Sequence, residues 1–132
     1  MTKTEKTIIL KLPNPPSCNR SSRSGKNGHY TPREVEAYRE KVKMAYWLSK
    51  YRGICFPTGL IKVDLFCVVA NSRRDLDNEF KVTFDALTHA GVWRDDNQIF
   101  DIHATKALGH GQGYIIITIS EYKPPRVEEC SI

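Results

Sequence analysis

The short, mostly apolar run from Thr7 to Leu12 predicts a first strand, and Pro13, Pro15 and Pro16 stop it. The next apolar recurrence has a helical period. Val35, Tyr38, Val42, Ala45 and Tyr46 form one stripe, with Arg39, Lys41 and Lys43 off it. Thr31-Pro32-Arg33-Glu34 ahead of that stripe is a capping box with proline at the first helical position, so a helix is predicted from there to about Tyr51. From Leu60 to Ala70 the period falls to two: Ile61, Val63, Leu65, Cys67 and Val69 share one face, and Phe66, Val68 and Ala70 make the other partly apolar. That pattern predicts an interior strand. Phe80, Phe84 and Leu87 return to helical spacing, with Asp77 or Asn78 as the cap and Gly91 as the stop, which predicts a second helix over Asn78 to Ala90. Two more strands follow, Gln98 to Lys106 and Gly113 to Tyr122, separated by Gly109, Gly111 and Gly113.

These elements fit one small domain over residues 1–122, and a length of 132 residues is enough to bury a proper core. Between the first strand and the first helix, residues 17–30 are polar, glycine-containing and basic, which predicts an exposed mobile loop. Beyond Lys123-Pro124-Pro125 the tail, 123–132, is expected to fray.

The net charge of +5 is unevenly spread. Residues 1–52 hold 12 Lys and Arg against 4 Asp and Glu, and residues 53–132 hold 8 against 11. The first part suits a polyanion and the second a cation. In the loop, Arg20, Arg23 and Lys26 are placed to contact phosphates and Tyr30 to stack on a base, although an ordinary solvated loop has the same composition. The four cysteines, Cys18, Cys55, Cys67 and Cys130, are scattered and form no C-x-x-C pair, so free thiols are expected. The four histidines have no ligand spacing, and His89 reads as a cation near a helix C-terminus. No apolar run is long enough to span a membrane and Met1 to Lys6 lacks a signal-peptide apolar region, so a cytoplasmic protein is expected. The nucleotide-cradling glycine motifs are absent.

The chemistry concentrates in Arg73-Arg74-Asp75-Leu76-Asp77-Asn78, Lys81 and Arg94-Asp95-Asp96-Asn97. A helix over Asn78 to Ala90 is roughly 20 Å long, and residues 91–96, if extended, cover about the same distance. The chain is therefore expected to return Asp95 and Asp96 to the end where Asp75 and Asp77 sit. Clustered carboxylates repel unless a cation neutralises them, and oxygen-only ligands suit magnesium or manganese better than zinc. Lys81, one turn after Asp77, should stay protonated and stabilise charge building up on a phosphate. Asp85, a further turn on, is expected to partner Lys81 at most. The same residues also fit a plainer account: an Asp-x-Asp that caps a helix, and a solvated Lys-Asp pair.

Three segments resemble the RusA-type Holliday junction resolvases of bacteria and their prophages: Leu12-Pro13-Asn14-Pro15-Pro16-Ser17-Cys18-Asn19-Arg20, Arg73 to Asn78, and Asp85 to Asp96. Their order and spacing match over residues 7–122. The resemblance implies an α/β (α+β) domain, a mixed β-sheet packed against two main helices, working as a homodimer that cuts four-way junction DNA with magnesium and no nucleotide cofactor. It places the essential aspartates on Asp75, Asp77 and Asp96, the catalytic lysine on Lys81, a less critical acid on Asp95, and a basic DNA-binding surface on Arg20, Arg73 and Arg74, with Arg23 and Lys26 in the looser-matching loop. Two other classes stay open on the sequence: a non-catalytic module binding junction or duplex DNA, and a general metal-dependent nuclease.

Overall fold

The computed structural model describes residues 6–16, 32–70 and 76–125, with the side chains of 76–79 outside that description. In chain order the elements are strand β1 (Thr7–Pro13), helix α1 (Pro32–Trp47), strand β2 (Ile61–Val69), helix α2 (Leu76–Ala90), a short 3-10 turn (Asp96–Gln98), strand β3 (Ile99–Leu108) and strand β4 (Tyr114–Glu121). The four strands form one sheet in the order β1-β4-β2-β3. β4 lies antiparallel between β1 and β2, whereas β2 and β3 are parallel, joined by α2 as the crossover. The sheet is therefore mixed and rests on two helices, as the family resemblance implies.

One face of the sheet is the core. Ile8, Leu10 and Leu12 of β1, alternate residues of β2 from Ile61 to Val69, and Ile115, Ile117 and Ile119 of β4 are buried against Tyr38, Val42 and Tyr46 of α1 and Val82, Phe84, Ala86, Leu87 and Ala90 of α2. Each such aliphatic side chain, fully buried, contributes on the order of 1.5–3 kcal/mol. The hydroxyl of Tyr38 donates to the carbonyl of Pro13 at 2.7 Å and lies 3.4 Å from Oγ1 of buried Thr83, so one polar group ties β1, α1 and α2 together.

The helix ends have local causes. α2 stops in a Schellman turn: Gly91 at φ 89° and Val92 donate back to the carbonyls of Thr88 and Leu87, both at 3.1 Å. α1 stops at Trp47, short of the predicted Tyr51, because Ser49 competes for the backbone. Its hydroxyl donates to the Tyr46 carbonyl at 2.7 Å and accepts from the Tyr51 N–H at 3.1 Å. The third predicted strand starts one residue late, since Gln98 closes the 3-10 turn. Cys67 is buried, and half-buried Cys55 carries a free thiol. The loop 17–30 and residues 126–132 lie outside the described residues. Among the described residues no helix is long and apolar enough to cross a membrane.

Candidate active site

Lys81, half-buried Asp85 and His89 follow one another at one-turn intervals along α2, beside the stripe of Val82, Ala86 and Ala90 that enters the core. Asp77 belongs to the first turn of the same helix. Asp75, Arg73 and Arg74, like Arg20, Arg23 and Lys26, lie outside the described residues.

The second acidic pair is held by a small, fully specified turn. Asp95 caps the 3-10 turn: its Oδ1 accepts from the Asn97 N–H at 3.0 Å. Gln98 completes a capping box, and its side chain does much more than cap. Its Oε1 accepts from the N–H groups of Arg94 and Asp95 at 2.9 and 3.0 Å, and its Nε2 donates to the carbonyls of Phe56 and Gly59, both at 3.0 Å. One buried amide thus fastens the acidic turn to the connection that precedes β2. Trp93 is buried and packs edge-on against Phe84, and its indole N–H donates to Thr88 Oγ1 at 2.7 Å. The acidic turn is rigidly attached to the C-terminal part of α2.

This attachment overturns the expected return of the chain. Residues 91–98 do not run back along α2. Trp93 bridges to Phe56, Gln98 reaches Phe56 and Gly59, and Ile99 pairs with Ile61, all at the end of the sheet where β2 begins. Asp77 belongs to the other end, where β2 has finished and α2 starts. The count of residues allowed either course. The long-range hydrogen bonds of Gln98 chose this one.

Asp96 sits beside Asp85 and Asp95. Burial first, then a carboxyl–carboxyl hydrogen bond with Asp95 and the negative charges of Asp95 and Asp85, push its pKa above the usual carboxylate value. Three carboxylates therefore influence one another there, although among the described residues no three acidic, histidine or cysteine side chains close on a single ion position. Asp85, expected only as a partner for Lys81, turns out to lend its charge to Asp96. Gln98 was missed altogether, yet the spacing Asp95-x-x-Gln98 is a readable capping-box signal. On the α1 side of the same helix face, Glu36, Arg39, Glu40, Lys43 and His89 line a polar groove.

Residues 13–120 match the family model described as endodeoxyribonuclease RusA. Over 117 residues the chain is 37% identical to the crossover junction endodeoxyribonuclease rusA of Enterobacteria phage 82, covering 87% of this chain and 95% of that protein. It is 36% identical, with the same coverage, to the crossover junction endodeoxyribonucleases RusA of Escherichia coli K12 and Shigella sonnei. The chain belongs to the RusA family. The RusA match runs from the last residue of β1 to the penultimate residue of β4, so it takes in both helices, β2, β3 and the acidic turn.

Proposed function

We propose that this chain is a divalent-metal-dependent endonuclease that works as a homodimer in the cytoplasm of a bacterial host and resolves four-way DNA junctions by paired, symmetric nicks. The observation that carries this reading is the acidic turn: the chain belongs to a family of endonucleases, and in its fold Gln98 fixes the backbone of Arg94 and Asp95, leaving Asp96 beside Asp95 and Asp85. Carboxylates forced together in this way fit a cation, and a donor set of oxygens alone fits magnesium, or manganese, better than a softer metal.

Asp75, Asp77 and Asp96 are the residues that would hold the ion, with Asp95 beside them. Bound magnesium supplies charge neutralisation at the scissile phosphate and a water of lowered pKa. Lys81, exposed on α2, would stabilise the charge that builds up on the phosphate in the transition state. Asp95 is engaged both by the Asn97 N–H, at its Oδ1, and by the carboxyl of Asp96, which suits an auxiliary role. Arg73, Arg74 and the loop residues Arg20, Arg23 and Lys26 supply phosphate contacts, so binding is strongly salt-dependent.

Two protomers serve the chemistry as well as the symmetry of the substrate. Asp77 precedes Asp85, the neighbour of Asp96, by eight residues, about 12 Å along the helix axis. Oxygens sharing one magnesium lie within about 4 Å of each other. That separation supports an ion site closed between protomers, Asp77 from one and Asp96 from the other.

The test is an end-labelled four-way junction and an equal-length linear duplex, each incubated with and without magnesium, alongside Asp77→Asn. Paired nicks in the junction alone, requiring magnesium and Asp77, are the expected result. Equal cutting of the linear duplex would make the protein a general nuclease, and binding without cutting under any divalent metal would make it a binding module.

A further inference from the structure

The outward face of α1 changes character near its end. Tyr38, Val42 and Tyr46 commit one side of the helix to the core. The opposite side of such a helix is normally polar, as it is here around Arg33, Glu36 and Glu40. At Met44 that polarity stops. Met44 is 51% exposed, Trp47 45% and Leu48 77%. Their spacings of three and four residues place them side by side, and the helix ladder extends to Leu48, whose N–H donates to the Met44 carbonyl at 2.9 Å. Single exposed apolar residues are ordinary, whereas three large ones together mark a surface that meets another molecule.

The charge around this strip has one sign. From Lys41 to Val63 the chain carries Lys41, Lys43, Lys50, Arg52 and Lys62, and neither Asp nor Glu. Helical geometry sets exposed Lys41 on one flank of Met44 and exposed Lys43 on the other, and Lys50 and Arg52 are exposed just beyond Leu48. Lys43 also lines the groove of about 390 Å³ formed with Arg39, Glu36, Glu40 and His89. Half-buried Arg39 lies deeper there than the exposed Glu36 and Glu40. Its Nε is buried with no hydrogen-bond acceptor, and a stranded guanidinium donor calls for an oxygen anion.

These features select among partners. A second copy of this chain, docked face to face, would set Lys41, Lys43, Lys50 and Arg52 against cations of their own kind. Duplex DNA meets the cations, but its phosphates and paired bases give Met44 and Leu48 no apolar contact. A bilayer surface is broad and flat, whereas this strip runs into a groove with a buried donor. A peptide supplies both components, carboxylates for the cations and apolar side chains for the strip.

We propose that the outward face at the end of α1, Met44, Trp47 and Leu48 with Arg39, Lys41 and Lys43, is a docking site for an acidic peptide segment of another protein. The apolar side chains of that segment lie on the strip and a carboxylate meets Arg39. None of these residues is assigned to the ion or to the phosphates, and the proposal does not rest on the nuclease reading.

The probe is a fluorescein-labelled peptide of Asp and Glu with Leu and Phe at every third or fourth position, titrated with the full chain and followed by fluorescence anisotropy. A companion peptide carries Ser in place of Leu and Phe. The first is expected to bind with a Kd of micromolar order, about tenfold more tightly than its companion, and to weaken as salt is added. Met44→Ser with Leu48→Ser should weaken it about tenfold, and Lys41→Glu with Lys43→Glu by at least as much. Far-ultraviolet circular dichroism should be unchanged in both double variants, because all four positions are exposed. No binding by the wild type, equal binding of the two peptides, or a serine double variant that binds like the wild type would each overturn the proposal. It also falls if the peptide is not held and the serine double variant instead loses affinity for linear duplex or for phosphatidylglycerol vesicles, which would hand the strip to DNA or to a bilayer. The nuclease reading is scored separately. Wild type and serine double variant should cut junctions equally, and peptide binding without cutting by either would sink the nuclease reading and leave the docking site standing.

Discussion

Replacing Gln98 by Ala removes the amide that joins the acidic turn to residues 56–59, and the structure says what that should cost. Two acceptors, the carbonyls of Phe56 and Gly59, and two donors, the N–H groups of Arg94 and Asp95, lose their partner. The donors sit beside exposed residues and regain water at little cost. The Phe56 carbonyl lies in a buried hydrogen bond, and stranding such a group costs about 1–3 kcal/mol, with about 0.5–1 kcal/mol for each of the others. A total near 3 kcal/mol is expected, or roughly a 10 °C fall in Tm for a chain of this size. Urea denaturation followed by circular dichroism measures it. Gln98→Glu sharpens the test: at pH 7 it sets a carboxylate against two carbonyls and should be at least as damaging. A proton restores a donor, so the carboxyl introduced by Gln98→Glu has a folded pKa above its unfolded one. Its stability is therefore kept at low pH and lost as pH rises through that folded value. Because the amide positions Asp95, both variants should also need about tenfold more magnesium for junction cleavage. A loss below about 1 kcal/mol for Gln98→Ala, or an unimpaired Gln98→Glu at pH 7, would refute the structural role assigned to this residue.

Asp96→Asn should reduce junction cleavage by a factor of at least about 100. Measured without metal, it should leave Tm unchanged or up to about 2 °C higher near neutral pH, the gain vanishing toward pH 4. The sign follows from the raised pKa of Asp96, which favours the folded state while the group is protonated and ceases to do so as pH rises through its folded value. Lys81→Met should lower the single-turnover cleavage rate by about 100- to 1000-fold while junction affinity in gel shifts changes little, because its charge acts on the transition state. Gly91→Ala should lower unfolding free energy by about 1–2 kcal/mol, since its φ of 89° costs an L side chain about that much. Thermal melts measure that loss.

The helices and the central strand were legible because each rests on a local signal: the stripe of Tyr38, Val42 and Tyr46, the alternation of Ile61 to Val69, and Gly91 as a left-handed stop. The parts that escaped depend on partners distant in sequence. Nothing near Asp95 announces that Gln98 will bond to Phe56, 42 residues away, so the course of residues 91–98 had to be guessed from length. The end of α1 turned on one serine hydroxyl. The exposed character of β3 follows from its place at the sheet edge, and its apolar residues read the same whether buried or bare. At the site, residue types and spacing identified Asp77, Lys81, Asp95 and Asp96 as candidates, whereas their separation along α2 needed the register of β2 with β3.

The burial of Trp93 against Phe84, with its indole N–H on Thr88, makes this protein its own optical probe. Its fellow tryptophan, Trp47, is 45% exposed where Trp93 is 2% exposed, so their emission separates into a red, readily quenched component and a blue, shielded one. Changing Trp47 to Phe leaves one emitter two residues before Asp95 on the same rigid turn. Its colour and polarisation then report, without label or substrate, whether that turn holds its shape as the carboxylates beside it gain or lose charge.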